Sequence, residues 1–188
     1  MTRHAFKSEQ GSTLVEAIVA VGVLSVGLLS LAQVFGLALK QASSASAGMI
    51  AREKAREAVE SVHTARDTKL ITWAQIHNVA DGGIFTDAAT PLRMPGPDGM
   101  MNTADDCTSV QLPDCKYVLQ STISPGPDGR FGTADDVKVP LADFTRRIKI
   151  EDVVGSPALR RLTVTITYKG QGGVPLSFTL VTYISSFA

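Results

Sequence analysis

The stretch KSEQGSTLVEAIVAVGVLSVGLLSLAQVFGLALK, from Lys7 to Lys40, holds one carboxylate, Glu16, and then no charged side chain until Lys40. Between positions 17 and 39 only Ser25, Ser30 and Gln33 are clearly polar. As a helix rising about 1.5 Å per residue, a run of about 23 residues crosses the roughly 30 Å hydrocarbon core of a bilayer. A cleaved secretory signal has an apolar core of only about 7 to 15 residues. This run is longer, and the small-x-small site Ala45-Ser46-Ala47 follows only after Lys40. A soluble helix that is apolar on every face needs protein on every side, which a chain of 188 residues can hardly supply. The segment reads as a membrane helix, with Arg3 and Lys7 favouring a cytoplasmic N-terminus.

The rest of the composition is neutral ground. With 44% apolar residues the chain suits one globular domain, and a formal net charge of zero gives no general attraction to nucleic acid or anionic lipid. His4, His63 and His77 are scattered, and no catalytic Ser, His and Asp constellation or phosphate loop can be assembled from the spacing. The sequence therefore predicts no enzyme.

Glu16 is out of place in a plain membrane anchor. A carboxylate near the middle of a bilayer helix costs about 2.5 to 3.5 kcal/mol on insertion scales. Near the helix start the macrodipole returns about 0.3 to 1 kcal/mol. The charge alone fits a solvated interfacial acid as well as it fits a functional one.

The preceding residues carry a resemblance. Gly11-Ser12-Thr13-Leu14-Val15-Glu16 resembles the processing site of type IV prepilins and of the related pseudopilins of type II secretion. These have a basic leader ending in Gly, then an apolar helix with Glu at its fifth position. Val23 to Gln33, VLSVGLLSLAQ, is similar to the minor pilins called PilV. The likeness covers about residues 7 to 40 and says little about residues 65 to 188.

The resemblance implies that a prepilin peptidase cuts between Gly11 and Ser12 and methylates the new amine. It implies that Glu16 neutralises that amine on a neighbouring subunit during assembly. Ser12 departs from the Phe usual at the first mature position. The implied parts are a leader at 1–11, a transmembrane and filament-core half helix at 12–40, an amphipathic half at 41–66 and a globular head at 67–188. The implied life of the protein is single-pass in the inner membrane with a periplasmic head, then in a pilus or at the cell surface, beside other minor and major pilins. The implied role is a minor pilin, a structural and assembly subunit acting in pilus initiation or at the tip. Alternatives are a minor pseudopilin of a type II secretion system, or an adhesive or DNA-binding module displayed on the filament.

Beyond Lys40, Ala, Glu, Lys and Arg prevail, and Ile50, Ala51, Ala55, Val59 and Val62 fall near helical spacing. The helix is expected to run on to about Arg66, with a weak spot at Ser43 to Gly48. Four strands are expected at Lys116 to Ile123, Phe144 to Val153, and in RRLTVTITYKG and PLSFTLVTYIS. Gly170-Gln171-Gly172-Gly173 reads as a hairpin loop. The expected fold class is α+β, a long N-terminal helix packed on an antiparallel sheet of about four strands, as in type IV pilins. Arg146, Arg147, Lys149, Arg160 and Arg161 read as a solvated face of that sheet, with a nucleic-acid or partner role as the lesser reading. Trp73 reads as core.

A duplication marks the middle of the chain. PGPDGMMNTADD at 95–106 recurs as PGPDGRFGTADD at 125–136, with 9 of 12 positions identical. Asn102 aligns with Gly132, the residue types that most readily accept left-handed backbone, so both copies are expected to turn there alike. Each copy brings three aspartates, Asp98, Asp105 and Asp106 or Asp128, Asp135 and Asp136. Calcium takes 6 to 8 oxygen ligands at about 2.3 to 2.6 Å and suits such loops, which resemble the Asp and Gly rich calcium loops of secreted repeat proteins without matching the EF-hand pattern. The competing reading is an ordinary Pro-Asp-Gly turn followed by a capping box, although no helical run follows either copy. Cys107 and Cys115 enclose a short loop with Pro113 and, in an oxidising compartment, read as one disulfide.

Overall fold

The computed structural model describes residues 12–109 and 115–187. Residues 1–11, where a leader is expected, and Pro113 lie outside the described residues. The chain divides into two units at Ala45/Ser46, each taken here by itself.

Helix α1 is Ser12–Asp67, helical without interruption through the expected weak spot at Ser43 to Gly48. Its first part contains Leu14–Leu39, 26 residues of mean hydropathy 2.3 with none of the segment buried. At about 1.5 Å per residue this stretch is about 39 Å long, more than the roughly 30 Å of a hydrocarbon core. Among the described residues, one helix is thus long and apolar enough to span a membrane. Ser25 and Ser30 donate to the carbonyls of Val21 and Val26 at 2.7 and 2.8 Å, so neither hydroxyl asks for an outside partner in an apolar medium.

The second unit is α+β. After α1 come two 3-10 turns, Trp73–Gln75 and Val79–Asp81, and strands β1 (Thr90–Pro91), β2 (Ser121–Ser124), β3 (Val137–Pro140), β4 (Phe144–Val153), β5 (Ser156–Lys169) and β6 (Pro175–Ser185). The main sheet is antiparallel in the order β1-β4-β5-β6. The β5–β6 hairpin turns through Gln171–Gly173 with Gly172 and Gly173 at φ 71° and 77°, so two consecutive residues take a conformation open to glycine.

One expected strand belongs elsewhere. Of Lys116 to Ile123, only the end is strand, and as β2 it pairs with β3 in a separate two-stranded sheet. The fourth strand of the main sheet is the two-residue β1 against Thr145 and Arg146. The reason is the duplication: the second copy is the excursion between β2 and β3, and closing it pairs Ser124 with Val137. At the equivalent base of the first copy, Cys107 N–H donates to Met94 O at 3.0 Å.

The core lies between α1 and one face of the sheet. Ala51, Ala55, Ala58, Val62 and Ala65 are buried, and opposite them stand Ile148, Ile150, Leu162, Val164, Ile166 and Ile184. Val59 and Ile50 only flank this stripe. Trp73 is part-buried, with the Arg160 guanidinium 4.1 Å from its ring centroid.

The free side of β4 beyond β1 is closed by a side chain. The Asn78 amide, 4% exposed, donates to Ile148 O at 2.9 Å and accepts from Ile150 N–H at 2.8 Å. It does for β4 what a neighbouring strand would do, satisfying two buried backbone groups. Asn78→Ala is expected to leave both unpaired and cost about 2 to 4 kcal/mol. Thermal unfolding of the full chain in detergent, followed by Trp73 fluorescence, should shift down by on the order of 10 °C; an unchanged transition would show that the edge is closed by other means.

Candidate functional site

Two places carry the chemistry read from the sequence: the start of α1 and the duplicated loops. Ser12 begins α1, and Glu16 lies one turn in with an exposed side chain. From Leu14 to Leu39 the large apolar side chains stand exposed, Leu39 at 74% and Leu31 at 55%. Glu16 therefore heads an entirely uncovered apolar helix.

The two loop copies share one backbone design. Asp105 Oδ2 accepts from the Asp98 amide at 3.1 Å, and Asp135 Oδ2 from the Asp128 amide at 3.3 Å. The Thr103 and Thr133 hydroxyls each donate to the following loop aspartate, Asp105 or Asp135, at 2.7 Å. Asp98 Oδ1 accepts from Met100 N–H at 2.7 Å and Asp128 Oδ1 from Arg130 N–H at 2.8 Å. Asp106 Oδ2 accepts from Asn102 N–H at 3.0 Å and Asp136 Oδ2 from Gly132 N–H at 2.7 Å. Gly96 and Gly126 are fixed by close approach, since an added Cβ would stand 2.1 Å from Asp105 O or 2.2 Å from Asp135 Oδ2. The left-handed turn falls where the alignment placed it, with Asn102 at φ 66° and Gly132 at φ 84°.

The copies differ in surroundings. Asn102 replaces glycine where a side chain is useful: its Oδ1 accepts from the Thr90 hydroxyl at 2.9 Å and from Arg146 Nε at 3.3 Å, and its Nδ2 donates to the Thr86 hydroxyl at 2.9 Å. These bonds, each worth about 0.5 to 1.5 kcal/mol, offset the left-handed backbone that glycine would adopt freely. Met100 and Met101 are buried beside it. Their counterparts Arg130 and Phe131 are exposed, Phe131 at 70%. Copy one is built into the head; copy two stands out from it.

The first copy borders a buried polar cluster. Arg146 is fully buried, and its Nη2 has no hydrogen-bond partner, nor have Asp106 Oδ1 and Gln120 Oε1. Burial pushes the Asp106 carboxyl up to about 6, against the pull of the Asn102 N–H and the Arg146 charge. Burial also lowers Arg146, which the charges of Asp106 and Glu57 oppose. Asp98 is raised by burial and by the neighbouring Asp105 carboxylate. Burial would raise Asp105 as well, but the bonds from Thr103 and the Asp98 amide outweigh it and hold it below the ordinary range. Cys107 and Cys115 are bonded as a disulfide directly after this copy, with Cα atoms 5.6 Å apart.

The five basic residues of the sheet do not share a solvated face. Arg146 and Arg160 are buried, and Arg160 Nη1 donates to Ile76 O at 3.0 Å. Lys149 and Arg161 both pair with Glu151, at 2.6 and 2.7 Å. The signal was in the strand parity: Arg146 falls on the same side as Phe144, Ile148 and Ile150, and Arg160 on the same side as Leu162 and Val164, facing inward.

Among the described residues, no group of three or more His, Cys, Asp and Glu side chains is disposed to hold a metal ion. Comparison with protein-family models, with curated proteins and with solved structures gives no match to this chain.

The raised Asp106 carboxyl has a pH consequence. Between the ordinary 3.8 and about 6 the folded chain keeps a proton that the unfolded chain has lost, so this group's contribution to stability falls as pH rises through that window. Asp106→Asn removes that dependence while keeping an acceptor oxygen. In the presence of a chelator, the melting temperature of Asp106→Asn relative to the native chain should rise between pH 4 and pH 7. A flat difference would show that the carboxyl titrates normally.

Proposed function

We propose that this chain is a minor pilin, a structural and assembly subunit of a type IV pilus, made as a prepilin and anchored in the inner membrane before it enters the filament. The single observation that carries the reading is the order of residues at the head of α1: Gly11, Ser12 and then Glu16, followed by the uncovered apolar segment Leu14–Leu39. A membrane anchor needs the apolar segment and has no use for the acid. A subunit that leaves the bilayer for a helical bundle needs both, because an amine buried in such a bundle is tolerable only with an opposite charge beside it. Cleavage after Gly11 supplies that amine at Ser12, and Glu16 of an adjacent subunit meets it.

Glu16→Ala is expected to give a chain that is inserted and processed, with Ser12 at its N-terminus by mass spectrometry, but absent from sheared pili. Its normal recovery there would overturn the role of Glu16, and a native chain still beginning at Met1 would overturn the processing. Recovery of the native chain with secretion-system filaments instead of pili would favour the pseudopilin alternative, which rests on the same residues.

Calcium binding by the duplicated loops is the second part of the proposal. Asp98, Asp105 and Asp106 in one copy, and Asp128, Asp135 and Asp136 in the other, have no ion-pair partner among the described residues. Asp106 also holds a buried oxygen with no donor. Hard carboxylate and carbonyl oxygens on glycine-rich backbone are the donor chemistry calcium takes. Millimolar calcium is expected to raise the melting temperature of the full chain and a chelator to reverse it. No shift in the native chain would leave these aspartates as closures of their own turns.

A further inference from the structure

The two loop copies share their wiring but not their charge. Beside the first stands Arg146, fully buried on β4. Its Nε donates to Asn102 Oδ1 at 3.3 Å, and Asn102 N–H donates to Asp106 Oδ2 at 3.0 Å. Asp106 is 5% exposed, and its charge and that of Arg146 attract each other. Each keeps one unused polar atom inside, Asp106 Oδ1 and Arg146 Nη2. The guanidinium therefore supplies this loop with a cation from within the fold, yet leaves the carboxylate an oxygen without a donor.

The second copy has no such cation. Gly132 stands where Asn102 stands in the first, so no side chain at that position ties the loop to a guanidinium. Asp136 Oδ1 is likewise buried without a donor. Arg130 belongs to this loop, but its side chain is exposed and makes no ion pair with Asp128, Asp135 or Asp136 among the described residues. An exposed charge is screened by water and salt, and a buried one far less. The acidic side chains near the first copy do not reverse the contrast. Glu57 also attracts Arg146 but is paired with Lys54 at 2.6 Å, and Glu53 and Glu60 are exposed.

We infer that Arg146 is a resident counter-cation that holds the calcium affinity of the first copy below that of the second. The inference rests on the calcium reading above and adds an order to it: the second copy fills first. Calcium entering the first copy has to share Asp106 with a guanidinium that the core holds in place. Two cations beside one buried carboxylate repel each other at the low effective dielectric of the interior. The first copy is thus closed by the fold alone, and the second is the one that answers to the ion. Arg146 acts through Asp106, as a positioning residue, and is no ligand itself.

Calcium titrations of the full chain in detergent, read by calorimetry and by melting temperature against a chelator-treated baseline, test this. The native chain is expected to fill one site at a calcium concentration at least about tenfold below the other. Asp136→Asn should remove the tighter phase. Arg146→Met, similar in length and uncharged, should melt lower in chelator because a buried carboxylate has lost its partner. Calcium should then restore it, with a rise larger than in the native chain and the weaker site tightened about tenfold. Adding Asp106→Asn to Arg146→Met should abolish that gain, and Arg146→Lys, which keeps a cation, should keep the native order. A purely packing role for Arg146 gives a loss that calcium does not repair. That result, or a rise in Arg146→Met no larger than in the native chain, overturns the inference and leaves the calcium reading standing. So does loss of the tighter phase in Asp106→Asn instead of Asp136→Asn. No calcium response in any of these chains overturns both.

Discussion

The head depends on how closely α1 can approach the sheet. Four of the five buried residues on its inner stripe, Ala51, Ala55, Ala58 and Ala65, end at Cβ, and the sheet supplies the bulk with Ile148, Ile150, Leu162, Val164, Ile166 and Ile184. Larger side chains on the helix would overpack this layer at about 1 to 3 kcal/mol each. Once that stripe is fixed, helical periodicity fixes the flanks. Glu53, Glu57 and Glu60 are turned out beside the first loop copy, and Arg66 at the helix end reaches the Ser185 carbonyl of β6 at 3.0 Å.

The duplicated loop shows how one local design serves two environments. Its wiring runs from the loop's own N–H groups and threonine hydroxyl to its carboxylates, within at most seven residues, so it does not depend on where the loop is placed. What varies is limited to three positions whose side chains take no part in that wiring. In the first copy they are Met, Met and Asn, and they join the core, Thr86, Thr90 and Arg146; in the second they are Arg, Phe and Gly, and they face solvent. A motif whose closure is local can be copied whole and then diverge at its outward residues without unfolding.

Locality also explains what the sequence disclosed. The span of α1, the β5–β6 hairpin, the left-handed residues at 102 and 132 and the disulfide all follow from short-range periodicity or spacing, and each was legible. The pairing of β2 with β3 was not, because the alternation in KYVLQSTI is compatible with either sheet and the choice was made by closure of the second loop. Strand β1, two residues long, has no pattern to read. Asn78 closes an edge 70 residues away, a contact no local rule anticipates. Arg146 and Arg160 were legible by parity, although burying an arginine runs against its ordinary preference for the surface. Of the candidate site, the residues that head α1 and the six loop aspartates could be named in advance; the bonds of Asn102 to Thr86, Thr90 and Arg146 could not, since these residues meet only in the folded head.

Charge is placed in this chain by one logic at two scales. In the head, Arg146 and Asp106 are buried near each other and neither is fully satisfied, a costly arrangement whose benefit is positional, because it ties the first loop copy to β4. At the start of α1, Glu16 heads a helix of high hydropathy with no ion-pair partner among the described residues. A buried charge without its partner destabilises by several kcal/mol, and the same charge with its partner specifies one register. Inside the head the partner is supplied in the same chain. In the assembly role proposed for Glu16, the partner is the amine of another subunit, and assembly would take its direction from that pairing.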